Sequence, residues 1–204
     1  TSILAGCRKA LESGCAAVVL IDSSGKHLTR DIPRLAAPVL SGEADLVIGS
    51  RYISGRKGIL PFQFNDDQKS CDIPEERPDF HSTDPDSTFR VISVKAASLL
   101  DLLPDNDLFE PMMVTLFSRR GLAVREISIT PRIDVPASGS EDRDLPRYRG
   151  SKIAVVVPAY NEELLIGETL AGIPDFVCRV YVVNDCSKDR TQEVVEYYAD
   201  HDDS

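Results

Sequence analysis

Long apolar runs are missing from this sequence. The longer ones, such as residues 16–21 and 153–157, fall far short of the roughly 20 apolar residues that span a bilayer, so no transmembrane helix is expected. Residues 1–10 likewise lack a basic start followed by a long apolar stretch, the mark of a secretory signal. Positive charge is also in short supply: 23 Lys and Arg stand against 33 Asp and Glu, a formal charge of -10. Affinity for nucleic-acid phosphates relies on clustered Lys and Arg, so no nucleic-acid partner is expected and the charge serves solubility. No C-x-x-C pair occurs among Cys7, Cys15, Cys71, Cys178 and Cys186, and an odd number of cysteines suits a reducing compartment. They read as ordinary thiols. The expected location is the cytoplasm, with any membrane contact peripheral.

What the chain does have is enough apolar material, 42% of 204 residues, for one substantial core. Ile3, Leu4, Cys7, Ala10 and Leu11 recur at helical spacing before Gly14, and residues 16–21 follow as a buried strand. After the polar turn 22–27, Ile32, Leu35, Ala36, Val39 and Leu40 share a second helix face, with Gly42 beyond it and a strand at 44–48. Continuous apolar strands alternating with amphipathic helices indicate an α/β fold whose mostly parallel sheet is covered on both faces. The pattern breaks over 54–86, a long loop rich in Gly, Pro and Asp. It resumes with a strand at 89–94, helices at 95–103 and 107–120, and a strand at 122–129. A linker is expected over 131–150, where Pro, Ser, Gly, Asp and Arg dominate. A second α/β stretch then places strands at 152–157 and 177–183 and helices at 162–171 and 191–199. The organisation is thus 1–130, a linker at 131–150, and 151–204. Neither part carries a full sheet of its own.

Two motifs in the last part carry a resemblance. Val155-Val156-Val157-Pro158-Ala159-Tyr160-Asn161-Glu162-Glu163 resembles the opening strand and nucleotide loop of family 2 glycosyltransferases. Val182-Val183-Asn184-Asp185-Cys186-Ser187-Lys188-Asp189-Arg190-Thr191 resembles that family's second-strand motif. Upstream, Asp22-Ser23-Ser24-Gly25-Lys26-His27 resembles the D-x-D-G-x-H turn. Asp45 to Tyr52 resembles the strand and loop D-x-V-x-G-S-R-Y, and Asp84-Pro85-Asp86-Ser87-Thr88-Phe89-Arg90 resembles D-x-x-S-G-F-R. Phe109-Glu110-Pro111 is similar to the helix on the acceptor side. In a linear member of the family the segment after the linker would come first. The order here therefore reads as a permuted or swapped GT-A fold, completed within one chain or by exchange between two copies as a homodimer.

The resemblance implies a nucleotide-diphospho-sugar donor, of GDP-mannose or UDP-glucose type, and transfer of its hexose to a polyprenyl phosphate or similar acceptor, as in cell wall or glycolipid synthesis. It casts Asp22, Glu110 and Arg90 as catalytic residues. Donor binding is implied for Pro158, Tyr160, Glu162, Asn184, Asp185, Asp22, Lys26 and Arg51. A divalent Mg or Mn, which prefers oxygen ligands, would sit on Asp22 and neutralise the leaving diphosphate. This sequence departs from the pattern twice. Ser24 replaces the second carboxylate, which weakens metal affinity, and Lys26 would repel a cation beside it. Thr88 stands where the family commonly has Gly. Lys26 could instead pair with the diphosphate, or remain a solvated lysine in a turn. Asn184 to Thr191 could equally form a turn that caps a helix through Ser187 or Asp189. A degenerate module that binds nucleotide or a partner without turnover therefore stays open. A sugar nucleotidyltransferase is disfavoured, because its Gly-rich nucleotide loop with a basic residue is absent.

Overall fold

A computed structural model of the chain describes residues 2–53, 82–103, 109–129 and 151–201. The expected linker at 131–150 and most of the expected long loop lie outside the described residues. The elements run α1 (Ser2–Glu12), β1 (Ala17–Leu20), α2 (Ile32–Leu40), β2 (Leu46–Ser50), β3 (Arg90–Ser93), α3 (Val94–Ala97), α4 (Phe109–Arg119) and β4 (Val124–Ser128). After the linker come β5 (Ile153–Ala159), α5 (Ile166–Ala171), β6 (Arg179–Asn184) and α6 (Thr191–Asp200). Six strands form one sheet in the order β4-β2-β3-β1-β5-β6. β5 pairs parallel with β1, setting Ala17 opposite Ile153 and Leu20 opposite Val156, and β6 pairs parallel with β5. β2 and β4 are also parallel, while β3 runs antiparallel to both β1 and β2.

The side-chain period of two along each strand divides the core into two layers. Val18, Leu20, Ala154 and Val156 pack on one face with Cys7 and Ala10 of α1, Ala96 of α3, and Met113 and Phe117 of α4. Val19, Ile21, Val155 and Val157 face the other side, against Ile32, Leu35 and Val39 of α2 and Ile166 of α5, with Val194 of α6 at the margin. Both faces are therefore covered, which is why the strands are apolar throughout rather than alternating. This mixed α/β sheet is the GT-A arrangement that the sequence implies.

Two close approaches bind the part before the linker to the part after it. A Cβ on Gly6 of α1 would lie 2.5 Å from a methyl of Val156 and 3.1 Å from one of Val183, so only glycine lets the helix rest on β5 and β6. On the opposite face, a Cβ on Gly172 would lie 2.6 Å from the Thr29 hydroxyl. The buried Thr169 hydroxyl also donates to the Ser23 carbonyl at 3.4 Å, joining α5 to the loop that follows β1.

Two helices differ from the sequence expectation. The helix expected over 95–103 is the short α3 followed by a single 3-10 turn at Leu100–Leu102. The helix expected from 162 begins at Ile166, because the residues before it belong to a loop held by partners elsewhere in the chain.

Candidate active site

β1, β2, β5 and β6 all end at the same edge of the sheet, so the polar residues that follow them converge there, as in open α/β sheets that bind ligands beyond their strand ends. A small cleft lies at that edge, lined by Ile3, Leu20, Ile21, Asp22, Thr88, Arg90, Glu110 and Pro158. Four residues singled out from the sequence thus line one cleft: Asp22, Arg90, Glu110 and Pro158.

Asp22 stands in the turn after β1, whose return needs Gly25 at φ 66°. Its Oδ1 accepts the Ser24 backbone N–H at 3.0 Å and the Ser24 hydroxyl at 2.5 Å. Its Oδ2 accepts the Thr88 hydroxyl at 2.7 Å. The Thr88 oxygen in turn lies 3.1 Å from His27 Nε2. Because Thr88 donates to the carboxylate, the N–H of that imidazole nitrogen is the group that completes the chain. Burial pushes the Asp22 carboxyl upward, but the bonds from Ser24 and Thr88 and the nearby His27 outweigh it and hold the group below its usual range. Asp22 is a carboxylate at neutral pH.

His27 is buried beneath this carboxylate, its ring 5.3 Å from that of Phe89. Burial lowers its pKa, helped by the charges of Arg51 and Lys26 and opposed by Asp22 and Asp84. Below about pH 6.5 the unfolded chain takes up a proton that the folded chain resists, so His27 subtracts stability as pH falls from there. His27→Gln is expected to flatten the loss of denaturation midpoint between pH 7 and pH 5, measured in urea. An unchanged slope would show that His27 is not the group responsible.

Arg90, the first residue of β3, is fully buried. Its Nε donates to the Ser87 carbonyl at 2.6 Å, Nη1 to the Glu110 carbonyl at 2.7 Å, and Nη2 to the Pro85 carbonyl. Burial lowers its pKa to about 10, against the opposing fields of Glu110, Asp84, Asp86 and Glu126, so the guanidinium stays charged. It fixes the approach to β3 and the first turn of α4 to each other. Glu110, in that first turn, is thereby set on the cleft.

Arg51 lies at the same sheet edge but is gripped by the buried Asp84. Nε and Nη2 reach the two carboxylate oxygens at 2.7 and 2.6 Å, and the Arg51 backbone N–H adds a third bond at 3.1 Å. This bidentate pair ties the loop after β2 to the segment before β3. Lys26 is exposed in the Asp22 turn, close enough for its charge to act on both His27 and Glu162. Glu162 is raised by burial and by Asp22, and lowered by Lys26.

The loops after β5 and β6 are knitted together. The Asn161 N–H donates to the Ser187 hydroxyl at 3.0 Å, the Glu162 N–H to Thr191 Oγ1 at 2.8 Å, and the Glu163 N–H to Asp189 at 3.1 Å. Asp189 also accepts the N–H of Thr191, the first residue of α6. Asn184 is engaged at both ends of its amide, donating to Gln192 at 2.8 Å and accepting from the Ser187 N–H at 2.9 Å. Asn184 therefore shapes the loop. Asp185 and Tyr160 stand exposed beside it, and the Asp185 N–H bonds the Ala159 carbonyl at 2.9 Å. Sequence reading found Asn184 and Arg51, but not the residues that engage them. Asp84 was visible only as a member of a motif, whereas Asp189 and Ser187 stood out as candidate caps of the last helix.

Sheet topology, covered faces and a polar cleft at the strand ends place the chain among α/β proteins of GT-A type. Residues 154–204 match the family model for glycosyl transferase family 2. A segment is also similar to a probable glycosyltransferase, YdaM, of Bacillus subtilis strain 168. The two are 33% identical over 69 residues, covering 29% of this chain and 16% of the relative. The match thus spans about a sixth of the relative's length. No solved structure matches significantly. Among the described residues, no helix is long and apolar enough to cross a membrane.

Proposed function

We propose that the chain moves a hexose from a nucleotide-diphospho-sugar to an acceptor in the cleft between β1, β5 and α4. The observation that carries this reading is the convergence of Asp22, Arg90, Glu110 and Pro158, drawn from four separate motifs, on one cleft at the strand ends. The segment matched to glycosyl transferase family 2 supplies β5, β6 and the loop between them, the part of such a fold that faces the nucleotide. In this reading Asp185, Glu162 and Tyr160 meet the base and ribose. Asp22 orients the donor through its remaining acceptor position, and Glu110 faces the acceptor as general base for a hydroxyl. A phosphate acceptor needs little such help, so a polyprenyl phosphate fits the site equally. The preferred donors are of GDP-mannose or UDP-glucose type.

The test is to incubate the chain with each donor, with and without polyprenyl phosphate, and follow both nucleoside diphosphate release and labelled lipid. Acceptor-dependent release from one donor is the expected result. Nucleotide binding without release at any acceptor would favour the degenerate binding module instead.

A further inference from the structure

The two departures from the family pattern meet on one carboxylate. Ser24 stands where a second carboxylate is usual, Thr88 where glycine is usual, and they lie far apart in sequence. In the structure the Ser24 hydroxyl takes Oδ1 of Asp22 and the Thr88 hydroxyl takes Oδ2. We infer that Ser24 and Thr88 fit Asp22 to work without a bound divalent cation, and that Lys26 supplies positive charge beside the donor's diphosphate. This rests on the function proposed above.

The donor set argues against a cation at Asp22. Mg and Mn take about six oxygen ligands and favour carboxylates, yet among the described residues no group of three or more His, Cys, Asp or Glu could hold a metal. Three of the roughly four acceptor positions of Asp22 are already filled, by the Ser24 N–H, the Ser24 hydroxyl and the Thr88 hydroxyl. A metal would have to displace one of these or bind through the remaining position alone. Lys26, four residues on in the same turn, would also repel it.

The same three bonds hold Asp22 in place without a metal. They keep the carboxylate ionised and oriented next to an anionic ligand, and His27 behind Thr88 fixes the direction of the Thr88 hydroxyl. The ligand's own charge still needs an opposite one. Lys26 is exposed in the turn, and a flexible ammonium pairs well with phosphate as a point charge.

Calorimetric titration of GDP and UDP into the full chain tests this, in chelator and again in excess Mn²⁺. Affinity for the better nucleotide should change less than about threefold between the two conditions, and Lys26→Ala should weaken it about tenfold. The double variant Ser24→Asp, Thr88→Gly should gain about tenfold from Mn²⁺ that the unaltered chain does not show. A gain of tenfold or more from Mn²⁺ in the unaltered chain would overturn the inference and leave the proposed function standing. Undiminished affinity in Lys26→Ala would overturn the role of the lysine. If neither nucleotide binds in either condition, both the inference and the reading beneath it fail. The titration of the unaltered chain decides the metal question even if the double variant does not fold.

Discussion

Replacing Arg90 with Met should lower stability by about 3–5 kcal/mol, the range for breaking a buried charged network. The side chain is wholly buried, and its three hydrogen bonds go to the carbonyls of Ser87, Pro85 and Glu110. Met fills much of the volume but donates nothing, so three acceptors lose a charged donor at once. Bonds to charged groups contribute about 1.5–3 kcal/mol each, and partial rehydration of the carbonyls offsets part of the sum. For a chain of this size each kcal/mol shifts the thermal midpoint by about 2–4 °C, so a fall of about 10 °C is expected by differential scanning calorimetry. Arg90→Lys should recover little, because one ammonium cannot span three diverging carbonyls as a planar guanidinium does. A midpoint within 2–3 °C of the unaltered protein would mean that the carbonyls find other donors. It would then follow that Arg90 does not hold α4 in place.

The second large effect is expected at Asp22. Asp22→Ala removes the carboxylate at the end of β1 that Ser24 and Thr88 orient, while leaving both sheet faces untouched. A positioned polar group at a reacting centre commonly contributes about 10²–10³ in turnover. Losses of that size in donor cleavage are expected, with a fall in thermal midpoint smaller than that of Arg90→Met, because three bonds to the carboxylate are lost but the site is only part-buried and water can replace them. Glu110→Gln should act differently. It keeps its place in the first turn of α4 but cannot take a proton, so hydroxyl acceptors should lose more rate than phosphate acceptors.

Much of the fold could be read from the sequence because apolar strands and amphipathic helices differ in period. Residues 16–21 and 153–157 are apolar at every position, and such strands are buried on both faces. That is where β1 and β5 pair. Strand direction was not legible. Residues 89–94 show the same apolar character whichever way they run, and β3 proved antiparallel between two strands that are parallel to each other. The late start of α5 was hidden for a related reason. Glu162 to Leu165 are helix-forming residues, but the N–H groups of Asn161, Glu162 and Glu163 bond to Ser187, Thr191 and Asp189, which are distant in sequence.

The site divides along the same line. Motif position was enough to bring Asp22, Arg90, Glu110 and Pro158 to one cleft. It could not show that Asp84 grips Arg51 or that Gln192 and Ser187 engage Asn184, since long-range hydrogen-bond partners leave no local periodicity. Thr88 is the clearest case. From sequence it was only a residue standing where glycine is usual, whereas its hydroxyl is a donor to Asp22.

In the proposed function, the cleft at the ends of β1 and β5 binds and cleaves a nucleotide-diphospho-sugar. The most direct measurement is nucleoside diphosphate release from GDP-mannose and UDP-glucose by the unaltered chain beside Asp22→Ala, at matched concentration and with both folds verified by circular dichroism. Release by the unaltered chain that falls about 100-fold in Asp22→Ala is the expected result. Equal release by the two proteins would place the chemistry elsewhere and contradict the account.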